Sequence, residues 1–514
     1  MILAIKELLV VLLISIGVFK LAQPVARLYC PDKDFARRRK VWIALTIAVF
    51  IAPNVWVFLL VATPMLIVLA RNDSNPAAAF LFLLFVLPPI SVRVPMIGLS
   101  FLINLDFHLL MSFFLLTPTA WRMWKEKKRY KAPGLKVLDV LLLAYCVLTA
   151  FLFVQPEIAR GVLMQPTFTD SLRRALEFFF GLFIPYFVIS RTAINRAAIQ
   201  DMIASFSIKC ALLAAVAIFE GARSWLLYGE LLSRWGSTSS GYLSRGGDIR
   251  AMASTGHPLS LGYLLAVAFG FWLYLQQNVQ SRFSRLGITG VFLFGLLAAY
   301  SRGPWVGAIV IFFAFAALGP RALPKAFKAI VGMLLLTLAI AVSPLWDKVA
   351  RVVPYFGGTV DLYNVTYRQK LFEKSWQIIV DHPWFGDQQA LLKMEELRQG
   401  EGIVDLMNGF INILLNNGFV GLSLFLLFIF IGSFNAFRVS TAAANSDPDL
   451  SKMGACLIAC MLGSVVMMWA GGLIDQMTCV LVGLMAAYVV VGRRLASDRQ
   501  PLGPAPISFK AGPN

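Results

Sequence analysis

Charged residues are scarce in this chain of 514 residues, because Asp, Glu, Lys and Arg together make up only 14% of it. Soluble domains carry about 25% charged residues and about 45–50% apolar ones. Here 59% of the residues are apolar and the mean hydropathy is +0.74. The composition therefore excludes soluble globular, disordered and fibrous proteins, and it indicates a polytopic helical membrane protein.

Cysteine and histidine are also scarce, with six and three copies. The cysteines lie in or beside apolar runs, so no disulfide framework is predicted, and Cys456 and Cys460 are expected to pack between helices. The sequence lacks a metal-ligand cluster, a Walker motif and a dinucleotide fingerprint. We therefore expect neither a cofactor nor a metal, and we expect no chemistry driven by ATP or NAD.

Acidic residues are outnumbered by basic ones, 27 to 46, which gives a net charge of +19. Residues 20–40 hold seven Lys or Arg and residues 121–136 hold another seven. Short loops rich in Lys and Arg are typical of the cytoplasmic side of a membrane protein. The charge is therefore mainly a topology signal with some anionic-lipid contact, and no nucleic-acid partner is expected.

The apolar runs predict an all-α transmembrane bundle of about 12–15 spans with a long, partly helical periplasmic loop. Residues 41–70 are either a hairpin broken near Pro53 and Asn54, or part of a region that contains a re-entrant run. We divide the chain into N-terminal spans (1–134), a central core with an Arg-rich loop (135–344), a periplasmic loop (345–408) and C-terminal spans with a cytoplasmic tail (409–514).

Three long segments fall on the outer face by this count, at 154–174, 223–257 and 345–408. The second one contains four arginines and no lysine: Arg223, Arg234, Arg245 and Arg250. Because outward loops are usually poor in positive charge and the arginine fork suits phosphate, we interpret this loop as an anion-binding segment. The alternative is that these arginines only reach the lipid headgroups or form scattered ion pairs.

A short polar motif, Ser301-Arg302-Gly303-Pro304-Trp305, interrupts the apolar stretch from Leu286 to Leu318. It predicts a tight turn between two helices, with Pro304 at the first helical position. A helix start offers free N–H groups and the positive end of the helix dipole. Together with Arg302 it would form an anion site at membrane depth, where an arginine is costly unless it is functional.

The segment 345–408 holds nine of the 27 acids. Val365, Phe372, Trp376 and Ile379 recur at helical spacing, which predicts an amphipathic helix over about 363–380 at the outer membrane surface. His382 and Pro383 should end it, with a turn at Gly386. Asp405 is the acid nearest to the membrane and therefore the best placed for chemistry.

Histidines offer two further candidates. His257 stands at the outer start of a span beside the arginine loop, where it is either a proton acceptor or a capping or packing residue. His108, with Asp106, is placed inside an N-terminal span, as a proton relay or as a contact between helices.

The order of these motifs resembles the bacterial O-antigen ligase and O-antigen polymerase superfamily, and most of all its exopolysaccharide polymerase-like branch. The resemblance covers about residues 240–435. The motifs that carry it are Gly256-His257-Pro258, Ser301-Arg302-Gly303, Tyr367-Arg368, Asp381-His382-Pro383-Trp384-Phe385-Gly386, Asp405-Leu406-Met407-Asn408-Gly409-Phe410 and Asn417-Gly418-Phe419-Val420-Gly421.

The resemblance implies an inverting, metal-independent glycosyltransferase in the bacterial inner membrane, with its active site facing the periplasm. The donor would be an oligosaccharide on undecaprenyl diphosphate, and the diphosphate would leave. Its arginines would bind that diphosphate, and by motif this role falls to Arg302, Arg250 and Arg368, with Arg245 from the same loop. Tyr367 and Asn408 would position the substrate. The expected partners are this lipid-linked oligosaccharide, the bilayer and other polysaccharide assembly proteins.

The motif departs from the ligase pattern at Met407, where ligases typically have a histidine before the re-entry asparagine. This difference favours a polymerase and leaves the catalytic base open between Asp405 and His257. Ligase-type transfer of a glycan to another acceptor is the first alternative. A lipid-oligosaccharide transporter or flippase is the second, although transporters usually place their polar groups at the midplane rather than at one face.

Overall fold

The computed structural model describes residues 2–98, 101–126, 132, 134–152, 157–159, 162–164, 167–193, 195–235, 244–245, 248–318, 362–398, 404–406, 408–472 and 475–498. It is 81% helical, with very little strand. The all-α helical bundle predicted from composition is therefore confirmed.

The helices of the first half are α1 (Ile2–Tyr29), α2 (Asp32–Ile51), α3 (Val55–Asn72), α4 (Pro76–Leu83), α5 (Phe107–Met111), α6 (Thr117–Lys125), α7 (Lys136–Leu152), α8 (Phe168–Phe178), α9 (Ile184–Thr192), α10 (Arg196–Arg223) and α11 (Gly229–Arg234). Single π-helical turns, Ser112–Leu116 and Phe179–Phe183, join α5 to α6 and α8 to α9.

The helices of the second half are α12 (Pro258–Leu275), α13 (Arg282–Ala298), α14 (Arg302–Leu318), α15 (Leu362–Asp381), α16 (Gly409–Ala443), α17 (Pro448–Ala470) and α18 (Asp475–Asp498). Short 3₁₀ turns are Ala253–Thr255, Gln276–Asn278 and Leu392–Leu397. The strands form antiparallel two-stranded hairpins: β1 (Ser91–Arg93) with β2 (Asn104–Asp106), β3 (Glu157–Ala159) with β4 (Val162–Met164), and β5 (Ser244–Arg245) with β6 (Asp248–Ile249).

Seven helices within the described ranges are long and apolar enough to cross a membrane, and α14 is a shorter apolar helix. The two central ones are α10 and α12, which are buried over 83% and 89% of their most apolar stretch, against 39% for α1 and 28% for α3. The thiols of Cys456 and Cys460 on α17 contact backbone carbonyls of α12, so the packing role predicted for this pair is confirmed.

Side-chain caps mark where several helices begin. The side chains of Asn54, Asn195 and Ser281 accept backbone N–H groups at the starts of α3, α10 and α13. A capped start satisfies donors that the first helical turn leaves without partners. The Asn54 cap also resolves the 41–70 run, because α2 ends at Ile51 and α3 folds back against it as a hairpin.

A buried ion cluster ties α2 to α10 near the start of α10. Arg38, which has no exposed surface, donates to both oxygens of Asp73 at 2.7 and 2.8 Å, and to both oxygens of Asp201 at 2.7 and 3.1 Å. Ser205 accepts a further bond at 2.9 Å, and Asn75 donates to Asp201 at 3.0 Å. We call these five residues the Arg38 cluster, in which two carboxylates and two neutral groups surround one guanidinium.

Candidate functional site

The predicted turn before Arg302 is present. α13 ends at Ala298 and α14 begins at Arg302, so the interruption in the apolar stretch is a tight connection between two helices. Tyr300 adopts a positive φ of 44° in this turn, a conformation that is unfavourable for a bulky residue and is often found at functional sites. We call the end of the bundle where α13 ends and where α12 and α14 begin the site end.

The helix starts two residues earlier than predicted. Pro304 is the third residue of α14 rather than the first. Its missing N–H still falls among the first four donors of the helix, which have no partner within it, so proline is tolerated there. The earlier start places the guanidinium of Arg302 at the positive end of the helix dipole.

Arg302 is half-buried, and its Nε is shielded from solvent without a hydrogen-bond partner in the part of the chain that the structure describes. The charge that acts on it is the positive one of Arg368 on α15. Two cations held close together repel each other, and a bound anion removes that repulsion. This pair is therefore suited to binding a doubly or more negatively charged group.

The amphipathic helix predicted over about 363–380 is confirmed as α15, which ends at Asp381 as expected. Tyr367 is buried and packs with Leu371 in a small apolar cluster, whereas Arg368 is exposed. Phe372 and Trp376 stack on each other on the exposed side, with centroids 6.2 Å apart. Exposed aromatic side chains of this kind favour the membrane interface.

Asp405 lies against α15. Its backbone N–H donates to the hydroxyl oxygen of Tyr367 at 3.1 Å, and its carboxylate interacts electrostatically with Arg368. Burial raises the pKa of Asp405 above its usual value, and the positive charge of Arg368 partly offsets this rise. Arg368 therefore lies within electrostatic reach of both Arg302 and Asp405, and Tyr367 contacts the Asp405 backbone, so four residues predicted from the sequence are linked at this site.

The turn after α15 is inserted into a break in α16. Gly418 has φ +60° and ψ −165°, which interrupts the helix. The freed N–H groups of Phe419 and Val420 donate to the carbonyls of Pro383 at 2.8 Å and Trp384 at 3.2 Å. We call this arrangement the main-chain latch. It fixes α15, and with it Arg368, against the bundle.

Glycine is required on both sides of the latch. Gly386 has φ +72°, and a side chain there would collide with the carbonyl oxygen of Leu415. A side chain at Gly418 would collide with the carbonyl group of Trp384. Residues 381–386 and 417–421, which carried part of the family resemblance, therefore contribute backbone geometry rather than reactive groups.

Asn408 is the N-cap of α16. Its side-chain oxygen accepts the N–H groups of Phe410 at 2.9 Å and Ile411 at 3.2 Å. A role in substrate positioning therefore rests on its amide nitrogen. Met407, at which the sequence departs from the ligase pattern, lies outside the described residues.

Arg250 and His257 form a second group at the same end. The N–H of Ala251 donates to the carbonyl of Ala298 at 3.1 Å, which ties the Arg250 segment to the end of α13. Burial, followed by the charge of Arg250, lowers the pKa of His257. The side chain of Arg245 lies outside the described residues; its backbone pairs with Asp248 in the β5–β6 hairpin.

His257 is the N-cap of α12, so the capping role that the sequence left open is present. Its Nδ1 accepts the N–H of Leu259 at 3.2 Å. In a neutral imidazole only one nitrogen is an acceptor, and this bond assigns that role to Nδ1. The remaining Nε2 is then a donor. The cap therefore occupies the one ring nitrogen of neutral His257 that could accept a proton.

The pair of Asp106 and His108 is not formed. Asp106 caps α5 by accepting the N–H of Leu109 at 2.7 Å, and Nε2 of His108 contacts the carbonyl of Gly181 at 2.7 Å. The proton-relay alternative therefore lacks support, because each of the two side chains contacts a backbone group instead of the other side chain. The sequence could not distinguish these cases, since a cap and a relay use the same residue types.

Two charged residues near the site end, Asp475 and Arg174, were not predicted from the sequence. Asp475 begins α18, and one of its carboxylate oxygens is shielded from solvent without a hydrogen bond in the described ranges. The charge of Arg174 on α8 acts on it, and Arg174 also pairs with Glu177 at 2.9 Å. The sequence signal for Asp475 was a single acid at the start of the last apolar run.

The protein-family model described as O-antigen ligase matches residues 287–426. This stretch runs from α13 into α16, so it contains Arg302, Arg368 and Asp405. The match supports, for this part of the chain, the resemblance to the O-antigen ligase and polymerase superfamily that was predicted from the sequence. No curated protein matches the chain.

Proposed function

We propose that this chain, which the O-antigen ligase family model matches over residues 287–426, is a periplasmic-face glycosyltransferase of the bacterial inner membrane. It would polymerise oligosaccharide repeats carried on undecaprenyl diphosphate into an exopolysaccharide. The observation that carries this proposal is that Arg368 lies within electrostatic reach of both Arg302 and Asp405, because the reaction needs an anion site next to a proton acceptor.

The reaction is a single displacement. A sugar hydroxyl of one chain attacks the anomeric carbon of the donor, and its proton passes to the carboxylate of Asp405. The new bond joins the hydroxyl oxygen to the anomeric carbon, and the bond from that carbon to the diphosphate oxygen breaks. A positioned general base typically contributes about 10²–10⁴-fold to such a step.

The leaving diphosphate gains negative charge as the bond breaks. Arg302 and Arg368 would stabilise that charge, with Arg250 contributing from the segment tied to the end of α13. A guanidinium binds phosphate oxygens through a rigid fork of donors, and preorganised donors of this kind lower the barrier without reorganising. The reaction as proposed uses neither a nucleotide nor a metal.

Ligase-type transfer is the second candidate, favoured by the description of the family model that matches residues 287–426. It would use the same donor and the same arginines, but the acceptor would be a different molecule. The absence of histidine at position 407 argues for the polymerase.

Purified protein in lipid nanodiscs, supplied with an undecaprenyl-diphosphate oligosaccharide and no nucleotide, tests the proposal. A polymerase produces a ladder of lengthened lipid-linked glycans on a gel. Transfer of one glycan to a different added acceptor would select the ligase. Failure to transfer any glycan, combined with movement of the lipid across vesicle membranes, would refute both and support a transporter.

A further inference from the structure

Glu220, in the last turn of α10, is a fully buried acid that no sequence motif singled out. Its Oε1 accepts the N–H of Leu227 at 3.0 Å, and its Oε2 accepts the N–H groups of Met252 at 3.0 Å and Ala253 at 2.8 Å. Burying a carboxylate is costly unless hydrogen bonds replace its hydration. Here three backbone donors from two separate loops do so.

The backbone around Met252 and Ala253 has the geometry of an anion-binding nest. Met252 has φ −130° and ψ −12°, and Ala253 follows with φ +46°. When φ changes from negative to positive between neighbouring residues, their N–H groups point toward one position and can bind a negative charge there. The left-handed φ is unfavourable for alanine, so contacts must hold it, and the carboxylate of Glu220 supplies them.

This nest lies between the two functional candidates of the segment. Arg250 precedes Met252 by two residues, and His257 follows Ala253 by four. The Ala251 N–H is already bound to the end of α13, so with Glu220 three consecutive N–H groups are fixed. Hydrogen bonds to Glu220 and Ala298 therefore fix the backbone of residues 251–253, which directly follow Arg250.

We propose that Glu220 is a positioning residue, which holds Arg250 in the orientation that binds the diphosphate and acts only through the backbone of Met252 and Ala253. This inference rests on the proposed function. Glu220 itself does not touch the substrate, because its two oxygens are occupied by Leu227, Met252 and Ala253.

The first measurement is the affinity of the nanodisc-embedded protein for undecaprenyl diphosphate. Glu220→Gln keeps the size of the side chain but turns an amide N–H₂ group toward a backbone N–H donor. We expect its Kd to rise about tenfold, as for the loss of one hydrogen bond to a charged group. Hydrogen exchange should accelerate at Met252 and Ala253 and stay unchanged in α12.

The second measurement separates positioning from general stabilisation. In an Arg250→Ala background, Glu220→Gln should change the Kd by less than about twofold, because residues that act through one another are not additive. A tenfold loss in both backgrounds would assign Glu220 a merely structural role and overturn the proposal. An unchanged Kd in the single variant would overturn it as well.

Two variants serve as controls. Asp201→Asn removes another buried carboxylate from the same helix, about 28 Å away at about 1.5 Å per residue, and should leave the Kd within about twofold. Glu220→Asp keeps the charge in the nest and should restore part of the affinity. If Glu220→Gln does not fold, the same cycle with Glu220→Asp decides by the same criterion.

Binding of undecaprenyl diphosphate by the wild-type protein distinguishes a failure of the proposed function from a failure of the Glu220 proposal. If the wild-type protein does not bind undecaprenyl diphosphate, the proposed function fails. If it binds and the Glu220 variants match it, only the role of Glu220 fails.

Discussion

The Arg38 cluster and the site end place guanidinium groups in opposite surroundings. Arg38 is enclosed by Asp73 and Asp201, which together carry more negative charge than it carries positive charge. Arg302 instead lies near Arg368, a second cation, and its Nε has no hydrogen-bond partner among the described residues. The first arrangement is complete as it stands, whereas the second gains from an added anion.

Arginine is used in two different ways in this chain. A guanidinium that is saturated by carboxylates joins helices and contributes to the folded state, and removing it leaves buried charges uncompensated. For a guanidinium held beside another cation, we expect a contribution to anion binding and transition-state stabilisation instead. The two uses predict opposite effects of the same substitution on stability and on activity.

Arg38→Ala should have the largest effect on stability. Asp73 and Asp201 would remain buried without their cation, so we expect a loss of about 3–5 kcal/mol in the free energy of unfolding. Thermal unfolding in detergent measures it, with the exposed neighbour as a control, since Arg39→Ala should stay within about 0.5 kcal/mol. Glycan transfer per folded molecule should be unchanged. A selective loss of transfer would show that Arg38 acts in the reaction as well as in stability.

Arg302→Ala should show the converse. We expect glycan transfer to fall about 10²–10³-fold, as for the loss of one preorganised donor, with little change in unfolding temperature. Arg302→Lys should recover only part of the rate, because lysine lacks the fork. The matched control is Arg282→Ala, which removes the first residue of α13 at the other end of that helix. Equal transfer by Arg302→Ala and the wild-type protein would contradict the diphosphate role.

Asp405→Asn should lower the rate about 10²-fold, since it removes the proposed base. Burial raises the pKa of Asp405 above 3.8, its usual value, so the wild-type rate should fall with decreasing pH through that raised pKa. The low residual rate of Asp405→Asn should lack this acidic limb. A wild-type pH profile that the substitution leaves unchanged would exclude Asp405 and reopen the question of the base.

Gly418→Ala should have the smallest effect. An alanine cannot adopt φ +60° and ψ −165° without strain and would collide with Trp384, so we expect a loss of about 1–3 kcal/mol. Thermal unfolding provides the measurement, and Gly290→Ala in α13, which has open space around it, should be neutral. A stable Gly418→Ala protein would show that the main-chain latch is dispensable.

Much of this architecture followed from composition and periodicity. The helical class, the turn before Arg302 and the span of α15 could be predicted, because each depends on local patterns of apolar, charged and helix-breaking residues. The proximity of Arg368 to Arg302 depends instead on how α15 docks, through backbone groups at Gly418 that no side-chain pattern reveals.

The same limit explains the residues that were missed or misread. Arg38 was counted among the loop cations that set topology, because its partners Asp73 and Asp201 are distant in sequence. Glu220 was not predicted, since its partners are backbone N–H groups. Pairing across elements is a property of the fold, and a single sequence contains no direct record of it.

The main-chain latch has a consequence for how related sequences can diverge. Its hydrogen bonds use only backbone atoms of Pro383, Trp384, Phe419 and Val420, so the side chains at 384, 385, 419 and 420 can vary without loss of docking. The segment that carries Arg368 could therefore be exchanged between relatives as one unit, provided that Gly386 and Gly418 are retained. New acceptor specificity could then arise on α15 while the proposed diphosphate site at Arg302 on α14 is retained.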